Sequence, residues 1–100
     1  MTLQISIPRE RIADFCRRHN IRRLALFGSV VRDDFRPGSD VDVLVEFEPG
    51  ARVGFITLTG MEIELGRLLG QNAEMHTIGG LNPGFRDEVL AAAEVQYEQA

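Results

Sequence analysis

Leu26-Phe-Gly-Ser-Val-Val-Arg-Asp-Asp-Phe-Arg-Pro-Gly-Ser-Asp-Val-Asp-Val-Leu-Val45 is the stretch on which the fold turns. It opens on the end of a short apolar run, Arg23-Leu-Ala-Leu-Phe27, which reads as a buried strand stopped by Gly28. Residues 29–35 read as one or two helical turns, and Arg36-Pro-Gly38 breaks the chain. Val41, Val43, Val45 and Phe47 then alternate with Asp40, Asp42, Leu44 and Glu46, the period of a strand. Two strands joined through a turn, the second opening on a pair of acids, form the centre of the domain.

Working outward, the flanks supply helices. Pro8 sits where a first helical turn tolerates a missing N–H, and Ile12, Phe15 and Cys16 recur at helical spacing through about His19. Beyond the Glu48-Pro-Gly-Ala51 turn, Leu58, Met61, Leu65, Leu68 and Leu69 form a stripe closed by Gly70. Ala73–Ile78 is expected to be a third strand. Asn82-Pro83 has the form of an N-cap followed by proline, opening a last helix through about Glu98. Strands alternating with helices predict one α/β domain over residues 1–100, a small mixed β-sheet with helices packed mainly on one face. A three-strand core cannot obviously bury the whole 58–69 stripe together with Phe85, Val89 and Ala93. A homodimer or hetero-oligomer using one helix face is therefore expected.

Bulk properties narrow the function classes. One hundred residues, 44% hydrophobic and 26% charged, suit an ordinary globular domain without room for a second unit. No apolar run approaches bilayer length and the start has no signal-peptide core, so a cytoplasmic protein is expected. The single cysteine, Cys16, excludes an internal disulfide and reads as a small apolar residue of the first helix. Residues 1–50 hold eight arginines and eight acids, whereas residues 51–100 hold three arginines and seven acids. No stretch is basic enough to make nucleic acid the main ligand. Because every basic residue besides histidine is arginine, a phosphate clamp must be an arginine, a backbone N–H or a metal.

Gly28 and Ser29 lie where a strand feeds a helix, so the backbone can approach an anion closely and the free N–H groups of the next turn can face it. Asp40 and Asp42, two apart on a strand, are expected to emerge on one face. Side by side they repel unless a cation sits between them, and a hard divalent ion would satisfy both while leaving positions for triphosphate oxygens. Taken singly, a Gly-Ser pair is a turn and an Asp-x-Asp pair a solvated strand face. Together, at the start of an otherwise valine-rich strand, they describe a phosphate cradle beside a carboxylate pair, which metal-assisted nucleotidyl transfer requires.

Gly28-Ser29, ten residues, then Asp40-x-Asp42 resembles the signature of the DNA polymerase β nucleotidyltransferase superfamily. The wording Phe-Gly-Ser-Val-Val-Arg…Gly-Ser-Asp-Val-Asp-Val-Leu-Val is similar to its minimal nucleotidyltransferase branch, and the likeness runs from Arg17-Arg-His-Asn-Ile-Arg-Arg-Leu to Tyr97. The resemblance implies a polymerase β-like nucleotidyltransferase fold. It implies that Gly28 and Ser29 hold the triphosphate, with Arg32 and Ser39 in support, and that Asp40 and Asp42 bind two Mg²⁺ ions, with Mn²⁺ as the alternative. The family's third carboxylate is usually an aspartate on the strand after the long helix, and Glu74 stands in the matching place. Its extra methylene displaces the carboxylate by about 1.5 Å. On that strand period two puts Asn72, Glu74 and His76 on one face, where His76 reads as a half-exposed strand histidine or a spare ligand.

By the same resemblance the substrate is ATP, and the acceptor is a hydroxyl on a HEPN-type partner protein that the chain neutralises as an antitoxin. Two other readings stay open at this stage. One is a non-catalytic antitoxin that retains an NTP–metal site. The other is a small-molecule nucleotidyltransferase completed by a second subunit.

Overall fold

The computed structural model describes residues 8–28, 40–77, 81–84 and 86–99. In chain order these form helix α1 (Arg9–Arg18), strands β1 (Ile21–Phe27) and β2 (Val41–Phe47), helix α2 (Phe55–Leu69), strand β3 (Ala73–Thr77), helix α3 (Arg86–Ala92) and strand β4 (Glu94–Glu98). The sheet order is β3-β2-β1-β4. Strand β1 runs antiparallel to both neighbours, and β2 runs parallel to β3. A parallel pair needs a crossover, and α2 supplies it.

Period-two alternation divides the sheet residues between two faces. Leu24 and Leu26 of β1, the valines of β2 and Met75 of β3 point to one side. There they meet Ile12, Phe15 and Cys16 of α1 and Met61, Leu65 and Leu69 of α2 in one buried cluster. The helical spacings are those of single stripes, three and four residues apart on α1 and four apart on α2. Gly70 closes α2 in the left-handed region at φ 72°, where a side chain would be strained. Glu64 of α2 bridges to the end of α1, accepting from Arg18 Nη2 at 2.6 Å and lying 3.0 Å from His19 Nε2. Ala25, Leu44 and Leu81 form a smaller cluster on the opposite face, with Phe27, Val89 and Ala93 packed on it. Two of the three helices among the described residues thus cover one face, as the sequence predicts.

Three expectations change. The last helix does not continue to Glu98: α3 ends at Ala92, and Glu94–Glu98 forms β4, pairing Leu24 with Tyr97 and Ala25 with Val95. Ala91 and Ala92 remain in α3 and Ala93 N still donates to Val89 O at 2.9 Å, and from Glu94 onward backbone partners on β1 take the chain into a strand. Asn82 does not cap a helix, because its Oδ1 accepts from Gly84 N at 2.7 Å in a local turn and α3 starts only at Arg86. The 58–69 stripe is not left over, since Met61, Leu65 and Leu69 are buried and Leu58 and Leu68 pack against the core. The exposed apolar residues of α2 are instead Phe55, Ile56 and Ile63. Ile78 and Phe85, and the helical turns expected over residues 29–35, lie outside the described residues. Among those described, no helix is long and apolar enough to cross a membrane.

Candidate active site

The site forms where β1 ends and the parallel pair begins. Phe27 is opposite Asp42, and Asp42 is opposite Glu74, so the three stand abreast across neighbouring strands. His76 follows Glu74 by two residues and is opposite Leu44, which keeps it on the same face. This is the face of the smaller apolar cluster, away from α1 and α2. Folding therefore delivers two carboxylates and an imidazole to one end of the sheet while the valines between them build the core.

One ligand atom each from Asp42, Glu74 and His76 lies within 4.8 Å of the other two. His76 Nε2 is 3.5 Å from Asp42 Oδ1 and 3.6 Å from Glu74 Oε1. Both separations exceed an ordinary hydrogen bond. The nitrogen is buried yet has no hydrogen-bond partner. The Phe27 ring meets the imidazole edge-on with centroids 5.3 Å apart, which fixes one side of the histidine. Among the described residues, the ion-pair partner of Asp42 and of Glu74 is this same histidine, and none of the described arginines pairs with either carboxylate. Paired carboxylates facing an unpartnered imidazole nitrogen are a donor set suited to a divalent cation.

Gly28 is fixed by the same carboxylate. It has φ 77°, a left-handed conformation costly for residues with a side chain, and a Cβ placed on it would overlap Asp42 Oδ2. The glycine both turns the chain out of β1 and leaves room for Asp42. Sequence reasoning makes it a point of close backbone approach to a ligand; the group that closely approaches it here is the side chain of an acid on the neighbouring strand.

Asp40 is placed differently. It precedes β2 by one residue and is exposed, so strand alternation no longer dictates its direction. With Asn72 and Glu74 it lines a cleft of about 800 Å³, walled on the α2 side by Glu62, Ile63 and Arg67. Asp42 and His76 are not among the described lining residues of that cleft, so Glu74 is the residue common to cleft and cluster. The structure thus brings Asp42 and Glu74 together, adds His76, and sets Asp40 at the adjoining cleft. Ser29, Arg32 and Ser39 lie outside the described residues. Sequence reasoning gives little weight to His76 and none to Phe27 or Arg67 as site residues. The signal for His76 is the Glu-x-His alternation at 74–76, whose significance depends on β3 lying beside β2.

Comparison with known proteins follows the same line. The family model described as a nucleotidyltransferase domain matches residues 9–95. A candidate protein adenylyltransferase of Methanocaldococcus jannaschii is 29% identical over 91 residues, covering 91% of this chain and 96% of that protein. The protein adenylyltransferase MntA of Thermococcus cleftensis is 37% identical over 81 residues, covering 80% of this chain and 77% of its own length. A solved structure of a candidate minimal nucleotidyltransferase superposes with a TM-score of 0.70 at 36% identity over 85% of each chain. A crystal structure of a toxin–antitoxin with AMP-PNP shares the fold alone, with a TM-score of 0.74 at 15% identity over 93% of this chain and 75% of that one. A domain-wide family match, over a sheet that sets acids beside a glycine turn, makes this chain a member of the nucleotidyltransferase domain family.

Proposed function

We propose that this chain transfers AMP from ATP to a hydroxyl of a partner protein, and that the partner is a HEPN-type toxin which the transfer neutralises. The observation that carries the reading is the Asp42–Glu74–His76 cluster built against Gly28. Likeness to named protein adenylyltransferases supports the reaction class, and likeness in fold to toxin–antitoxin structures is consistent with the partner class.

In this reading Gly28 and Ser29 admit the triphosphate, with Arg32 and Ser39 in support. Asp40, Asp42 and Glu74 would hold the divalent ions, Mg²⁺ or Mn²⁺. When bound, the ions polarise the α-phosphate and neutralise charge on the departing pyrophosphate. Glu74 takes the proton of the acceptor hydroxyl as that oxygen bonds to the α-phosphorus and the bond to the bridging oxygen breaks. Glu74 suits this task because it faces both the cluster and the open cleft through which an acceptor side chain can enter. The cleft beside Glu74 is open to solvent and can admit the acceptor side chain of another protein. The exposed Phe55, Ile56 and Ile63 of α2 lie on the helix that walls the cleft, and they suit a protein acceptor better than a small molecule.

Incubation with labelled ATP, Mg²⁺ and the product of the neighbouring gene tests the reading. Label is expected on the partner protein. Glu74→Gln should reduce transfer by at least about a hundredfold while ATP binding changes little, and Glu74→Asp should retain activity. Equal transfer by wild type and Glu74→Gln removes Glu74 as the base. Neutralisation of the partner without label in any of the three proteins favours an antitoxin that acts by binding alone.

A further inference from the structure

We infer that His76 is itself a metal ligand, making the cluster a mixed nitrogen–oxygen site that favours a transition-type divalent ion such as Mn²⁺ or Co²⁺ over Mg²⁺. The inference deepens the proposed function by naming the class of ion. Its test uses the free chain, so the two can fail separately.

Geometry carries it. The imidazole Nε2 is buried, has no hydrogen-bond partner, and stands 3.5 and 3.6 Å from two carboxylate oxygens. Two donors bound to one ion at about 2.1 Å are separated by about 3.0 Å when cis in an octahedron and about 3.4 Å in a tetrahedron. The observed spacings are therefore close to those of ligands around an ion and too long for hydrogen bonds. A bare ion pair with a charged imidazole would draw the oxygens in to hydrogen-bonding distance, since neither carboxylate has another partner among the described residues.

Position supports the same conclusion. Asp42 pairs with Glu74 and Leu44 with His76 on adjacent parallel strands, so the three donors are fixed by backbone register and not by a mobile loop. The Phe27 edge contact supports the ring at a preset angle. The chemistry of the set then determines its preference. Carboxylates and water suit Mg²⁺, which dehydrates reluctantly, whereas an imidazole nitrogen suits Mn²⁺, Co²⁺ and Zn²⁺ better, along the usual order of affinities.

Calorimetric titration of Mn²⁺ and Mg²⁺ into the free chain, without nucleotide or acceptor, is the test, with the visible spectrum of bound Co²⁺ as a second readout of nitrogen ligation. Wild type should bind Mn²⁺ clearly more tightly than Mg²⁺. His76→Gln should weaken Mn²⁺ by at least about tenfold, change Mg²⁺ by less than about threefold, and alter the Co²⁺ spectrum. His76→Asp should move the preference back toward Mg²⁺, and its retained binding shows that the fold has survived. Equal losses for both ions in His76→Gln, an unchanged Co²⁺ spectrum, or no binding of Mn²⁺ by wild type would each overturn the inference. Metal binding as expected with no transfer to any partner leaves it standing and removes the proposed reaction instead.

Discussion

The two faces of the sheet are made by the same strands and are built for different ends. On the side of α1 and α2, Val41, Val43 and Val45 are essentially fully buried in a cluster that includes Phe15 and Leu65. On the other, Asp42 and Glu46 flank Leu44, and the buried cluster is only Ala25, Leu44 and Leu81. One residue of register separates the core from the site. The contrast teaches that stability is concentrated on one face, which frees the other to hold like charges together without threatening the fold. The repulsion between Asp42 and Glu74 is tolerable because it is set against a densely packed layer one residue away.

Mutations can break or sharpen this division. The largest effect is expected on the core face: Leu65→Ala removes a side chain with 0% exposure and should cost about 2–5 kcal/mol in urea unfolding. Ion affinity of the protein that remains folded should be nearly unchanged. A comparable loss of ion affinity in that fraction would show that the two faces are not independent.

Gly28→Ala lies on the boundary. The left-handed φ of 77° and the overlap of a Cβ with Asp42 Oδ2 act together. The strain alone should cost about 1–2 kcal/mol. Displacement of Asp42 should also abolish the rise in melting temperature that Mn²⁺ is expected to give the wild-type chain by binding the folded state. A Gly28→Ala protein that keeps both stability and the ion-induced rise would mean that the carboxylate need not sit where the structure places it.

The smallest effect concerns pH and sits between helices. Bonds from Arg18, and then His19, hold the Glu64 carboxyl below its usual range. A carboxyl lowered on folding stabilises above its unfolded value of 4.5 and loses that contribution as pH falls through the lower, folded value. The pair is largely solvated, so the change should be slight and should shrink in salt. Melting temperatures of wild type and Glu64→Gln should differ at pH 7 and converge as the pH falls through the lowered, folded value. A difference that grows toward low pH would reverse the assignment.

Much of the core face is legible in the sequence because hydrophobic period and burial coincide there. β1, β2 and the Met61, Leu65 and Leu69 stripe all follow from spacing, and Gly70 from its place after the last leucine. β4 is hidden for the opposite reason. Its buried position is Gln96 and its neighbour Val95 is 47% exposed, an inverted pattern that follows three alanines favouring helix. What makes it a strand is hydrogen bonding to β1, far earlier in the chain, and no local window contains that. The site is legible in part. Asp42 and Glu74 follow from a motif and its departure, but their meeting with His76 depends on the β2–β3 register. Asp40 has the spacing of a strand residue yet lies just before the strand, where alternation no longer applies.

Glu62 gives the outer edge of the sheet a property of its own. Its Oε2 accepts from Met75 N at 2.6 Å, so a helix carboxylate occupies a donor that an additional strand would need. An exposed parallel edge invites chain-to-chain pairing, and this one is closed at its midpoint by an acid that no incoming backbone can displace cheaply. Met75 is also the residue between Glu74 and His76. The hydrogen bond that occupies this edge of β3 therefore also holds the backbone between Glu74 and His76, so edge protection and the placing of the proposed donors rest on one contact.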